Sequence, residues 1–390
     1  MAEWQTVRLS KIVLTNQSTY SPKEDWQFAN YLDTGNITMN RVDEIQYINT
    51  STDKLPGRAR RKVKLNSIIY STVRPNQLHY GIIKKQPENF LVSTGFAVID
   101  VDFEKAVPDY IYYVLTQKEV TEHLQAIAEQ SVSAYPSIKP SDIENLELFL
   151  PDRITQEKIV AILNSIDEKI KQNNEINNNL EQQAQALFKA RFVDFLSFNG
   201  EMSLNWRSGT VSEVIELHDS KRIPLSSRER TALAKVYPYY GATSIMDYVD
   251  RYLFDGIYLL LGEDGTVVDN AGYPILQYVE GKFWVNNHAH ILTGKNGFTV
   301  ELLYLLFSLT NVASIVTGAV QPKISQANLN KVPIIIPSIE ELRMMDDQVQ
   351  PMFAQIRNLR AENERLATVR DTLLPKLMNG ELDVSCMDDL

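Results

Sequence analysis

The chain has a single cysteine, Cys386, and only five histidines in 390 residues. One thiol excludes a disulfide framework and a thiolate zinc cluster. The longest apolar stretch, Leu302 to Leu309, is far too short to span a bilayer. Met1 to Leu14 alternates charged and apolar residues and lacks the continuous apolar core of a secretory signal, so the expected location is the cytoplasm. There is no Gly-rich phosphate loop ending in Lys-Ser/Thr, no Gly-x-Gly-x-x-Gly and no Gly-x-Ser-x-Gly elbow. The Asn/Asp-Pro-Pro-aromatic tetrapeptide with which amino-methyltransferases grip a target amine is also missing. With so few histidines and one cysteine no nucleophile triad can be assembled. These absences describe a chain that does no chemistry of its own.

What is present is a repeat. Pro136, Ile138, Pro151 and Leu187 recur as Pro322, Ile324, Pro337 and Leu373, each pair 186 positions apart. Solenoid units are roughly 20–50 residues long, so this is a duplicated domain, each copy ending in a long helix. The expected architecture is α+β. Two similar mixed α/β domains are separated by two long helices that form an antiparallel coiled coil with pseudo-twofold symmetry. The boundaries are 1–150 for the first globular domain, 151–198 for a central helix, 199–336 for the second domain, 337–378 for a distal helix and 379–390 for an acidic tail. Ile68–Tyr70, Phe96–Ile99, Ile257–Leu261 and His290–Leu292 read as strands. Ile111–Ile127 and Val300–Ile315 read as helix, and Trp4 and Trp206 open the two globular parts.

The helical segments show a heptad seam. In the first copy it runs Ile159, Leu163, Ile166, Ile170, Asn173, Asn177, Leu180, Ala184, Leu187. In the second it runs Met345, Val349, Met352, Ile356, Leu359, Asn363, Leu366, Arg370, Leu373. Asn177 and Asn363 hold the same repeat position, either as buried register-fixing residues or at a solvated edge. Each helix has roughly 40 residues and so a length of about 60 Å. Pro351 predicts a kink or a fresh helix start.

The net charge of −10 argues against strong non-specific binding of nucleic acid, but the charge is unevenly spread. Lys54 to Lys85 contains no acid. Its Arg58, Arg60, Arg61, Lys62 and Lys64 suit phosphate contact, and Arg also reads guanine edges. Arg74, Asn76 and His79 follow in a loop after a strand. In the second half, Lys221, Arg222, Arg228 and Arg230 take the equivalent part, with Tyr239 as a flat contact or a core aromatic. Asn287 and His288 are candidates for polar readout, and no metal site is expected. His288 and His290 stand at i, i+2 without a third ligand in evident spacing. Asp269, Glu280 and Lys282 superficially match the carboxylate pair and lysine of a metal-dependent nuclease, which is the alternative enzymatic reading. A helical adaptor that does not read DNA sequence is a further alternative.

Several stretches in order resemble the DNA-specificity subunit of type I restriction–modification systems over essentially the whole chain. They are Ser133–Ile138 leading to Leu148–Pro151, Ile154–Leu163, Leu187–Phe195, Tyr237–Ala242 with Gly262–Gly265, and Leu373–Leu382. The resemblance implies two target-recognition domains, each reading half of a split site on double-stranded DNA, with the helices setting the spacer. It implies docking of two methyltransferase subunits that carry S-adenosylmethionine, a restriction subunit completing the nuclease, and no cofactor in this chain.

Overall fold

The computed structural model describes residues 4–131, 135–318 and 320–384. Part of the Ser133–Ile138 stretch, Cys386 and the last acidic residues lie outside them. The chain divides into two compact units, 1–171 with 363–390, and 172–362. Each unit therefore takes one half of each long helix.

In the first unit the strand Ile68–Ser71 lies between Phe96–Val101 and Tyr80–Ile82, with Val13–Thr15 beyond Phe96–Val101. Its neighbours are all antiparallel, yet the sequence reads as a continuous apolar run rather than an alternation. The reason is that both faces are covered. Ile68, Tyr70, Ala97 and Ile99 pack into the core beneath the helices Pro108–Leu115 and Lys118–Glu129, while Ile69, Phe96 and Val98 pack into a second core on the other face. The second four-stranded sheet runs Gln46–Asn49, Phe28–Leu32, Phe90–Ser93, Ala59–Lys62, with one parallel pair between Phe28–Leu32 and Phe90–Ser93. Gln5–Arg8 pairs with Glu147–Leu150 and closes the domain.

The second unit repeats this plan strand for strand. Tyr258–Gly262 lies between Ala289–Gly294 and Leu276–Val279, with Ile215–Leu217 beyond. Leu259, Leu261 and Leu292 face the main core, and Leu260 and Ile291 face a smaller one. The other sheet runs Ile245–Val249, Tyr237–Tyr240, Lys282–Val285, Phe254–Asp255, again with a single parallel pair in the middle. Arg207–Thr210 closes on Pro333–Ile336. The helical stretches are shorter than the periodicity suggests: Ile111–Ile127 breaks at Thr116–Gln117, and the second ends at Ser308.

The central helix spans Arg153–Phe192 and the distal helix Ile339–Met378. Asp152 caps the first, accepting the Thr155 N–H at 2.9 Å. In the second unit the helices run antiparallel, since Asn173 Nδ2 donates to Glu362 at 2.9 Å while Arg191 pairs with Glu341 at 2.6 Å. In the first unit Arg370 pairs with Asp167 at 2.9 Å. Ile159, Leu163, Val349, Ile356 and Leu359 are buried in the seam, and Ile166, Ile170, Leu180, Met352, Leu366 and Leu373 are half-buried. Asn177 is buried and Asn363 half-buried.

Two expectations are corrected. Leu187 is exposed, and Phe188 takes its place in the core with Ala184 and Phe192. An uncoiled helix has 3.6 residues per turn, so spacings of four replace the heptad once the helix end packs on a globular domain. Phe188→Ala should lower stability by about 3–5 kcal/mol and Leu187→Ala by under ~1 kcal/mol. Chemical denaturation of the two variants checks this, and equal losses would return Leu187 to the seam. Of the two expectations at Pro351, the fresh helix start is not found, because the distal helix runs through it from Ile339 to Met378. Val349 and Phe353, both buried, anchor the turn on either side of the missing hydrogen bond.

Candidate nucleic-acid interface

The repeated Pro-x-Ile signature has a structural meaning. In the first domain the chain leaving the central strand at Ser71 is held by the segment 136–138. Arg74 N–H donates to Pro136 O at 2.9 Å, Ile138 N–H donates to Thr72 O at 2.8 Å, and Val73 bridges Ser137. In the second domain Gly265 N–H donates to Pro322 O at 3.0 Å, Ile324 N–H donates to Glu263 O at 2.9 Å, and Asp264 bridges Lys323. The same backbone clamp thus grips the loop after each central strand. Arg74 and Gly265 are equivalent positions, and both are left-handed, at φ 48° and 86°. The clamp fixes where the loop starts and leaves its side chains free to differ.

In the first domain Ala59–Lys62 is the outer strand of its sheet, and its far edge is covered by residues 18–20. Tyr20 N–H donates to Arg60 O and Lys62 N–H to Ser18 O. Arg58 is exposed, and Arg60 and Arg61 are half-buried. Arg61 Nε is buried and makes no hydrogen bond among the described residues. Lys64 stands 3.7 Å from Asp100 but keeps 70% of its side chain exposed. Lys62 is corrected. It is paired to Glu24 and lies over the Trp26 ring at 5.1 Å, and its hydrogen bond holds the Glu24 carboxyl below the usual range. Arg74 is exposed and lies over the exposed Tyr135 ring at 5.1 Å. Asn76 is exposed, with its backbone N–H on Gln125. His79 is half-buried, with Nδ1 2.6 Å from Ile37 O, so it anchors a neighbouring loop.

In the second domain several expected contacts are structural. Arg222 is 13% exposed and pairs with Glu263 at 2.6 Å and Asp219 at 3.5 Å. Around it lies a buried ionic network. His290 Nδ1 is 2.6 Å from Asp219 and Nε2 is 2.8 Å from Ile324 O, Gln326 donates to Asp219, and Lys323 pairs with Glu263. Burial pushes both carboxyls up, but the bonds from His290 to Asp219 and from Arg222 to Glu263 outweigh it and hold both below their ordinary values. Asp219, Glu263 and His290 are the one set of three with ligand atoms within 4.8 Å of each other among the described residues. Both His290 nitrogens face acceptors, and Arg222 and Lys323 already sit against the acids, so the charge of the two carboxylates is met within the network.

Arg230 is likewise internal, on Asp247 at 3.0 Å and over Tyr239 at 4.9 Å. Tyr239 is core: it is 1% exposed and its hydroxyl accepts from Leu225 N–H. His288 pairs with Asp264 beside the clamp. Lys221, Arg228 and Asn287 are exposed. The nuclease trio is engaged piecemeal. Asp269 accepts two backbone N–H groups in its own turn, Glu280 pairs with Arg357 at 3.4 Å, and Lys282 lies over Tyr252. The network was hidden in the sequence because its members come from four separated segments. The Pro-x-Ile repeat was the one signal that pointed near it.

A family profile for the type I restriction modification DNA specificity domain matches residues 1–182 and again 203–366. The chain is 25% identical to the HindI type I restriction enzyme specificity subunit of Haemophilus influenzae, covering 90% of this chain and 94% of that one. It is 26% identical to the MjaIX specificity subunit of Methanocaldococcus jannaschii, covering 78% and 75%. In fold it resembles the crystal structure of the type I restriction–modification S subunit from M. genitalium. That match has a TM-score of 0.54 and 17% identity, over 98% of this chain and 97% of the other.

Proposed function

We propose that this chain, which belongs to the type I restriction–modification DNA specificity family and carries its domain twice, reads a split DNA sequence, one half with each domain. The carrying observation is the exact recurrence of strand order in two domains whose loops differ. A common scaffold presents two different surfaces, which is what two unlike half-sites require. The paired helices set the spacer between the half-sites and dock two modification subunits. Those subunits supply S-adenosylmethionine and flip the target adenine. A restriction subunit completes the nuclease, and the assembly works on double-stranded DNA in the cytoplasm. The net acidity fits a subunit whose partners supply part of the basic surface.

Mapping methylated adenine genome-wide, with and without this gene, tests the reading. Loss of one split motif supports it, and an unchanged pattern with an active modification subunit refutes it. Replacing Arg58, Arg60 and Arg61 together by Ala should weaken binding of the cognate duplex by about tenfold or more and lessen its dependence on salt, without changing which bases are preferred. Binding titrations at several salt concentrations check this. An unchanged affinity and salt slope would remove these residues from the DNA surface.

A further inference from the structure

The two domains can be subtracted from each other. The sheets and the clamp recur, so they are scaffold. Among the described residues, one element that does not recur is a hairpin in the first domain, Ile37–Thr38 paired with Arg41–Val42. Among the described residues the second domain joins the corresponding strands, Tyr237–Tyr240 and Ile245–Val249, by the short turn 241–244.

This hairpin is docked on the clamped loop. Met39 N–H donates to Leu78 O at 2.9 Å, and Asn40 N–H donates to Tyr80 O at 2.8 Å. Asn40 Oδ1 accepts the Ile82 N–H at 2.9 Å, and His79 meets Ile37 O. Ile37 is 1% exposed, and it lies so close to Gly81 that a Cβ there would come within 2.6 Å of its methyl. The turn residues Met39 and Asn40 are left-handed, at φ 47° and 63°, as a tight two-residue hairpin demands. Arg74 and Leu78, which bracket the docked loop, are also left-handed, at φ 48° and 58°. Four non-glycine residues in this region persist because the bonds between the two loops over-determine them. The result is a rigid display rather than a floppy one.

Its outer side is chemically suited to base edges. Met39 is 48% exposed, the Arg41 side chain is 80% exposed with Nε 3.5 Å from the likewise exposed Asp43 carboxylate, and Arg74, Asn76 and Gln77 are exposed. Arg pairs with guanine, Asn and Gln pair with adenine, and an apolar group meets the thymine methyl, while a two-stranded ribbon fits the major groove. The basic strand Ala59–Lys62 offers cations but no such mixture. The structure assigns base reading in the first domain to the two-loop platform, Arg41, Arg74 and the Met39–Asn40 turn. Arg58, Arg60 and Lys64 then hold phosphates. This rests on the half-site reading above.

The test uses the full subunit expressed with its modification partners, with the methylated motif read by sequencing. Arg41→Gln and Arg74→Gln, each at an exposed site, should relax base preference about tenfold or more at one or two positions of one half-site and leave the other half intact. Arg60→Gln and Lys64→Gln should lower methylation at every site alike without changing the motif. Should a platform variant abolish methylation, binding of the purified complex to duplexes varied in each half decides. Loss confined to the cognate half supports the platform, and equal loss on all sequences overturns it. An unchanged motif in both platform variants also overturns it. A parent with no split motif sinks the half-site reading itself, which is a separate result.

Discussion

Arg222→Ala will destabilise the second domain by about 3–5 kcal/mol at neutral pH while leaving the first untouched. Removing the guanidinium leaves Glu263 and Asp219 as buried carboxylates, 13% and 4% exposed, with one cation fewer between them. The loss depends on pH in a defined sense. Burial raises both carboxyls, but hydrogen bonds from His290 and Arg222 hold them net below the ordinary range. Carboxyls depressed in the folded state stabilise it above their unfolded values, near 4, and that gain fades as pH falls through the folded values. In the variant Glu263 has lost its main donor, so its depression shrinks. The gap between parent and variant is therefore widest at neutral pH and narrows below about pH 4. Thermal melts at several pH values check both the size and the trend. A variant as stable as its parent, but unable to recognise one half-site, would make Arg222 the DNA contact its sequence context suggested.

Arg222 shows where legibility ends. In the sequence it looks like Arg58: a cation beside turn residues in an otherwise acidic chain. Whether such a cation faces solvent or an acid depends on a partner such as Glu263, which no local pattern brings near. Arg230 is opaque for the same reason, since its partner Asp247 sits on a separate strand, whereas Tyr239 takes the core position that is one of its two readings. The long helices were legible because their period is local and repeats over many turns. Ile68–Tyr70 and Phe96–Ile99 were legible because burial on both faces writes a continuous apolar run. The identical strand order of the two domains was not, because pairing order is non-local and the domains share little sequence. The Met39–Asn40 turn escaped notice because it lacks the Asn-Gly signature that marks such hairpins.

The largest effect on recognition should come from shortening both helices at once. Removing residues 171–177 and 358–364 takes one heptad from each partner of the antiparallel pair. That is about 10.5 Å of helix at 1.5 Å per residue, and a phase change of only about 20°. Ile170 then precedes Asn178 and Arg357 precedes Arg365, so the apolar stripe continues in register on both sides. The deletion removes the polar layer of Asn173, Asn177 and Glu362 but retains the Asp167–Arg370 and Arg191–Glu341 pairs. At 3.4 Å per base pair the spacer of the methylated motif should shorten by about three base pairs, with both half-site sequences unchanged. Shortening the central helix alone should instead abolish assembly, because the facing seam then loses its register. An unchanged spacer in the double deletion would separate the helices from the measurement of distance. Altered half-sites would mean that the helices also shape the reading surfaces.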